Sequence, residues 1–352
     1  MVLKLLHSDL DPITEIPNSI EDFLQKYINK SQSDTFTSQS KRSIKEGMSF
    51  LTFHCILCLT FPVCNSYSLI SDVIYVGQRE VAILNPHQNF GLQYIGSEDA
   101  TTCHIITMRN PQSGKCALAH LDQVPTKGLD HIAHKLQDKS SPEAAEIEFH
   151  IFGGYQDERD ISEELSLSLL SYLIKSQFKF KLGYCVTGSH NTFYGAESEK
   201  SKYPRPRLYG IGIDVLSNEI FPADFPDHSP DPDLRHVRLS FRQYDNYDHY
   251  YQVKDYLYED WNSETGAFVI EPFDFHQSPD LTWISKAPDG FLLKNMSTSP
   301  KVEPQDFCAG MRRATQMVLD HPEPLKTVFR NNKAKTFIYS ENEKKWILCV
   351  NK

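Results

Sequence analysis

The chain has 352 residues, 40% of them apolar and 23% charged, which excludes a wholly disordered, collagen-like or coiled-coil protein. Its net charge of −10, from 36 basic and 46 acidic residues, argues against a broad nucleic-acid-binding face, because phosphate contacts need clustered Lys and Arg. Its 8 cysteines are too few and too scattered for a disulfide scaffold.

The first 48 residues read as a weakly ordered extension. Residues 21–28 suit a short helix with Phe23, Leu24, Tyr27 and Ile28 on one face. Residues 31–43 are polar apart from Phe36 and read as a flexible segment. Residues 49–71 form an atypical apolar segment. Its core, 50–63, is broken by Thr52, His54 and Thr60 and is shorter than the ~20 residues of a membrane span. The first ten residues hold Asp9 and no apolar signal-peptide core. The expectation is a soluble intracellular protein in a reducing compartment, with no nucleic-acid or membrane partner.

Compact structure is expected from residue 72 to 352. Strands are predicted over 72–76 and 80–84, then over 102–108 and 116–121 as an antiparallel hairpin around the turn Asn110-Pro111-Gln112-Ser113-Gly114. A helix over 128–136 precedes a half-buried strand over 146–152, which Gly153-Gly154 ends. Asp160 with Glu163 resembles a capping box, and Leu165, Leu169 and Leu173 follow at helical spacing. A strand is predicted over 180–186. The stretch 203–258, rich in Pro, Asp and Tyr, carries a strand pair at 208–214 and 219–221, then loop or edge structure. A helix over 306–319 and strands over 336–339 and 345–350 end the chain. Locally paired strands outnumber helices, which argues for an α+β fold and not a doubly wound parallel sheet.

Cys103 follows the turn-like run Gly96-Ser97-Glu98-Asp99-Ala100-Thr101-Thr102 and starts a strand. A thiol there can be exposed while backbone N–H groups stay free for an oxyanion. It needs a base, and His120 lies 17 residues on, across the predicted hairpin. His104 must point to the other face. Most intracellular cysteines are small core residues, so spacing alone leaves Cys103 as either nucleophile or core. Cys55, Cys58 and Cys64 with His54 sit in an apolar run without a second Cys-x-x-Cys and read as buried thiols, with no metal site expected. His131 and His134 read as surface histidines, and the tyrosine-rich 242–260 stretch as a packed or solvated loop.

Several separated stretches resemble the protein N-terminal asparagine amidohydrolases. Gly96-Ser97-Glu98-Asp99-Ala100-Thr101-Thr102-Cys103 resembles their active-site segment. Tyr75-Val76-Gly77-Gln78-Arg79-Glu80, Ala119-His120-Leu121-Asp122, Gly153-Gly154-Tyr155 and Leu293-Lys294-Asn295-Met296-Ser297-Thr298-Ser299-Pro300, with Glu303 and Phe307 beyond it, match further family motifs in order. The likeness runs from about Asp72 to the C terminus. Residues 1–71 depart from the family's usual start, 50–67 reads as an insertion, and the match is sparse over 203–280.

The resemblance implies a catalytic domain over 72–352 that hydrolyses the side-chain amide of an N-terminal Asn to Asp, with release of ammonia through a Cys thioester. It implies no cofactor and no metal. Its partners would be proteins and peptides with a free N-terminal Asn, then an arginyltransferase and a ubiquitin ligase of the N-degron pathway. The enzyme would be a cytoplasmic, and also nuclear, monomer. Cys103 takes the family's nucleophile position. The spacing to His120 is also similar to that of the bacterial chemotaxis-receptor deamidase, which implies His120 as base and Ser97 as third member. By the same likeness the fold is an α/β/β sandwich of mixed, largely antiparallel sheets, as in the Cys-His deamidases. Glu98, Asp99, Glu80 and Asp122 are candidates for the substrate α-ammonium, and Thr101 and Thr102 for further substrate contacts. The competing readings are a Cys enzyme acting on internal residues and a non-catalytic adaptor that binds N termini.

Overall fold

The computed structural model describes residues 3–6, 12–39, 42–43, 72–88, 90–137, 145–195 and 203–349. The apolar segment 49–71, with Cys55, Cys58 and Cys64, lies outside the described residues.

A six-stranded sheet runs in the order Lys4–Leu5, Phe180–Val186, Ile147–Gly153, His104–Arg109, Cys116–Leu121, Val81–Leu84. Only the two pairings made by Phe180–Val186 are parallel. Side chains alternate across its faces. Ile106, Met108, Ala119 and Phe149 pack beneath Phe23, Leu129, Ile132, Leu169 and Leu173 of the helices Ile20–Tyr27, Thr126–Leu136 and Ile161–Lys175. Ile105, Leu118 and Phe152 point the other way, onto Ile74, Ile95, Ile211 and Ile213. Those belong to a second sheet, ordered Arg42–Ser43, Ile220–Asp224, Ile211–Asp214, Tyr94–Ser97, Val73–Tyr75. Helices, sheet and sheet thus stack as three layers of an α+β fold with largely antiparallel pairing. An antiparallel four-stranded sheet near the C terminus and the helix Phe307–Asp320 extend the core.

The hairpin falls where expected, and several expectations need correction. Ile147–Gly153 is buried on both faces, not half-buried, because it lies between the helical layer and the second sheet. Within 31–43, where composition predicts flexibility, Lys30–Thr37 is a helix capped by Asn29. One residue anchors it: the Phe36 ring lies 4.9 Å from both Phe152 and Tyr184. The capping box at Asp160 is not formed. Asp160 has a left-handed backbone, and Asp157 caps the helix by accepting from the Ile161 and Ser162 N–H groups at 3.2 and 2.9 Å. Beyond the expected strand pair, 232–241 and 247–254 are helical instead of loop or edge. The first helix's apolar stripe, Leu234, Val237 and Phe241, is buried together with Arg235 and Arg238, and the two charges interrupt the pattern in the sequence. The second helix buries none of its residues. The strand Tyr94–Ser97 was not foreseen. Gly96 in it is a packing requirement, since a Cβ there would lie 1.8 Å from the Phe225 ring. Among the described residues no helix is long and apolar enough to cross a membrane.

Candidate active site

The hairpin register pairs Ile105 with His120 and His104 with Leu121. Cys103 therefore shares the face of Ile105 and is a diagonal neighbour of His120. His104 turns to the helical side, with its Nε2 2.7 Å from Ser166 Oγ and 3.0 Å from Thr187 Oγ1. The Gly153-Gly154 turn holds the other side of the nucleophile strand: the Gly154 N–H donates to the Cys103 carbonyl at 2.8 Å. Both glycines have positive φ, of 93° and 61°, a conformation that costs a residue with a Cβ.

Ser97 ends a strand of the second sheet, opposite Ile211. Its Oγ lies 2.8 Å from His120 Nδ1 across the sheet interface. Ser97 is 0% and His120 3% exposed, so water does not compete for this bond. His120 Nε2 is buried and has no hydrogen-bond partner among the described residues. Ser97 and His120 thus meet across two sheets, with one imidazole nitrogen held and the other without a partner among the described residues, and Cys103 lines the same cleft as His120. Burial pulls His120 down to about 4. Burial, with Asp122 and Glu303 adding to it, pushes the Cys103 thiol well above its ordinary value. Both shifts oppose a thiolate–imidazolium pair in the empty site.

Cys103 and His120 face a cleft of about 290 Å³ whose other walls include Glu98, Asp99, Glu303 and Asp306. The candidate carboxylates differ in what already occupies them. Glu80 lines the cleft, yet it accepts from Arg235 Nε at 2.9 Å, Arg238 Nη2 at 2.7 Å and the Gly77 N–H at 2.8 Å. Burial alone would raise it. Arg235 and Arg238 outweigh that and bring it down to about 2. Arg238 also binds Asp260, so the group is a closed buried ion network. Glu98 accepts from the Phe225 N–H at 2.7 Å and faces His228 Nε2 at 2.6 Å, and the His228 ring stacks on Tyr75 with centroids 4.0 Å apart. Asp122 is held by Gln78 at 3.1 Å and does not line the cleft. The Asp99 carboxylate has no hydrogen-bond or ion-pair partner among the described residues. Asp99 has positive φ, and burial followed by the charge of Glu98 raises its carboxyl to about 7.

Thr101 and Thr102 are buried, and their hydroxyls pair with Ser299 and Thr298, each at 2.7 Å. They fasten the nucleophile turn to the Ser297-Thr298-Ser299-Pro300 segment. Glu98, Asp99 and His228 are the one group among the described residues whose donors lie close enough to share a cation, within 4.8 Å of one another, although Glu98 and His228 already bond each other. His131 and His134 are exposed, as expected, and His131 pairs with Glu259. Sequence reasoning missed His228, Arg235 and Arg238. The cleft-lining Tyr75, Glu80 and Glu98 point to them only once the chain is folded.

The family model "Protein N-terminal asparagine amidohydrolase" matches residues 65–348. The chain is 30% identical over 274 residues to the human protein of that name, covering 77% of this chain and 82% of the human one. It is 28% identical over 291 residues to the protein of that name from Arabidopsis thaliana, covering 76% of this chain and 80% of the plant one. The matched region contains the whole Ser97–Cys103–His120 constellation and nearly all of both core sheets. This chain belongs to the protein N-terminal asparagine amidohydrolase family.

Proposed function

We propose that this chain hydrolyses the side-chain amide of an N-terminal Asn, yielding N-terminal Asp and ammonia, as the names of its relatives describe for them. The observation that carries the reading is the buried Ser97–His120 bond, which leaves the other imidazole nitrogen without a partner among the described residues, in a residue that lines an acidic cleft together with Cys103.

Cys103 Sγ attacks the carboxamide carbon while His120 Nε2 takes the thiol proton. The Ala100 and Thr101 N–H groups already donate to the Tyr209 and Asp99 carbonyls, so the Thr102 and Cys103 N–H groups stabilise the oxyanion. The C–N bond breaks, and the imidazolium gives its proton to the departing ammonia. An imidazolium whose value lies near 4 is a strong proton donor, which suits a poor leaving group. Water, deprotonated by neutral His120, then attacks the thioester, and the thiol leaves with that proton. Ser97 holds Nδ1 through both half-reactions.

Asp99 receives the substrate α-ammonium: of the two cleft carboxylates without a side-chain partner among the described residues, Asp99 and Asp306, it is the less exposed and lies four residues before Cys103. Glu98 stands behind it with His228. Glu80, Thr101 and Thr102 support the site without touching substrate. Asn is chosen over Gln by depth: a longer side chain carries its carbonyl past the attacking thiol. The product Asp is the kind of N terminus that an arginyltransferase and then a ubiquitin ligase would consume.

The test is mass spectrometry of a peptide starting with Asn, incubated with wild-type protein and with Cys103→Ala. Matched peptides start with Gln or carry an acetylated Asn. Conversion of the free N-terminal Asn alone, lost in the variant, is expected. Conversion of an internal Asn, or unchanged conversion by the variant, would overturn the reading. Peptide binding without turnover in the wild type would favour the adaptor.

A further inference from the structure

One acidic wall of the cleft has no part in the mechanism above. Glu303 follows the Ser297-Thr298-Ser299-Pro300 segment and lines the cleft with Cys103 and His120. Its Oε1 accepts from Ser299 Oγ at 2.8 Å and from Ser297 Oγ, and Ser299 Oγ lies 2.7 Å from Thr101 Oγ1. Each hydroxyl has one proton, and a carboxylate can only accept. Ser299 Oγ, the donor of both contacts, gives its single proton to the carboxylate or to Thr101 and bridges the two. Thr101 is two residues before Cys103, so the carboxylate is tied to the nucleophile's own turn.

For reactivity alone this charge is counterproductive. Glu303 is among the groups that hold the Cys103 thiol protonated. A negative group fixed there must act on what enters the cleft. Substrate and product differ in one respect that a carboxylate reads. The Asn carboxamide presents two N–H donors, whereas the Asp carboxylate presents only acceptors and a charge of the same sign.

Resting on the N-terminal Asn reading, we infer that Glu303 accepts an N–H of the substrate carboxamide and repels the product carboxylate. It is the residue that sorts amide from acid and clears the product. This assigns it a different task from Asp99, which takes the α-ammonium.

Glu303→Gln keeps an oxygen for Ser297 and Ser299 while removing the charge. The measurements are initial rates of ammonia release from an Asn-peptide, and inhibition by the same peptide starting with Asp. In wild type the inhibition constant for the Asp-peptide is expected well above the KM for the Asn-peptide. In Glu303→Gln their ratio should fall about tenfold or more, as removal of a like charge in a half-buried site predicts. A purely structural role would change kcat or melting temperature and leave the ratio alone. A ratio within about twofold of wild type would overturn the inference. If the variant does not fold, Cys103→Ala with its native Glu303 answers instead by calorimetric binding of the two peptides. Equal affinity for both would overturn the inference, and weaker binding of the Asp-peptide would support it. A wild type that leaves the Asn-peptide unconverted removes the functional reading itself, an outcome distinct from conversion with an unchanged ratio.

Discussion

Ser97→Ala removes a single oxygen from the interface between the two sheets, and the structure says what that costs. Ser97 Oγ is 2.8 Å from His120 Nδ1, and both residues are sealed from water. For His120 Nε2 to accept the thiol proton, Nδ1 must carry the ring hydrogen and donate it to Ser97. Without the serine, Nδ1 is buried without a partner, and the tautomer that places its hydrogen on Nε2 is no longer disfavoured. The loss grows as the reaction proceeds. A neutral hydrogen bond contributes about 0.5–1.5 kcal/mol, and one to a charged group about 1.5–3 kcal/mol. The imidazolium exists only after proton transfer, so the difference, about 1–2 kcal/mol, falls on the transition state, and the tautomer change adds to it. At about 1.4 kcal/mol per factor of ten, kcat should fall roughly 10- to 100-fold with little change in KM. The assay is ammonia release from an Asn-peptide, with circular dichroism and thermal melting to confirm folding. A folded Ser97→Ala enzyme with wild-type kcat would refute the role of Ser97 as the group that orients the base. A matched loss in KM would refute its confinement to the chemical step.

Two further perturbations separate the carboxylates. Burial and the charge of Glu98 raise the Asp99 carboxyl to about 7, so if Asp99 takes the α-ammonium as proposed, its charge is lost as pH falls through that value and KM should rise on the acid side. Asp99→Asn should raise KM about tenfold or more at pH 7.5 and flatten that acid limb, read from KM against pH; an intact limb would assign it to another group. Glu80 is held at about 2 by Arg235 and Arg238, below its ordinary value of 4.5, so its stabilisation is complete above 4.5 and is lost as pH falls toward 2. Glu80→Gln should cost about 3–5 kcal/mol at pH 7, because it leaves two buried guanidinium groups short of charge. Urea unfolding at pH 7 and pH 3 should show that deficit shrinking at the lower pH, and an unchanged midpoint at pH 7 would contradict the reading.

The placement of Cys103 and His120 on one face was legible in the sequence, because it is local. A β-branched run, a turn and a second apolar run make the hairpin, and period-two alternation puts Cys103 and His120 on one face. Ser97 was harder to read. Its strand is four residues long and contains a glycine required only by the approach of Phe225. Ser97 entered through likeness to a distant deamidase, not through any local pattern. The acidic residues were not separable at all from sequence. Glu80, Glu98, Asp99 and Asp122 differ in what faces them, and the deciding partners of Glu80 and Glu98 (Arg235, Arg238 and His228) sit more than a hundred residues away in the chain. Residues 30–37 failed for the opposite reason: averaged composition hides the one aromatic residue that does the anchoring.

Burial opposes a charged dyad in the empty site, and that opposition in turn explains why the dyad needs Ser97. A thiolate–imidazolium pair would be two charges in a site walled by sheet on both sides, with acidic groups raising the cost of the thiolate. Burial raises the thiol and lowers the imidazole, so proton transfer between them is uphill until an electrophile is present. In the proposed mechanism, attack on the carboxamide carbon moves the negative charge from sulfur to an oxyanion that backbone N–H groups receive, and only then is transfer to His120 favourable. The imidazolium so formed lies in a place that disfavours it, which drives its proton onto the departing nitrogen. The serine is thus required at two moments: to keep the ring in the tautomer that accepts, and to hold Nδ1–H while the ring is charged. A surface dyad would need neither, because water would supply both partners. Cys103 is only partly buried and opens on the cleft, whereas Ser97 and His120 are sealed, so in the proposed mechanism the hydrogen bond across the sheet interface controls the base.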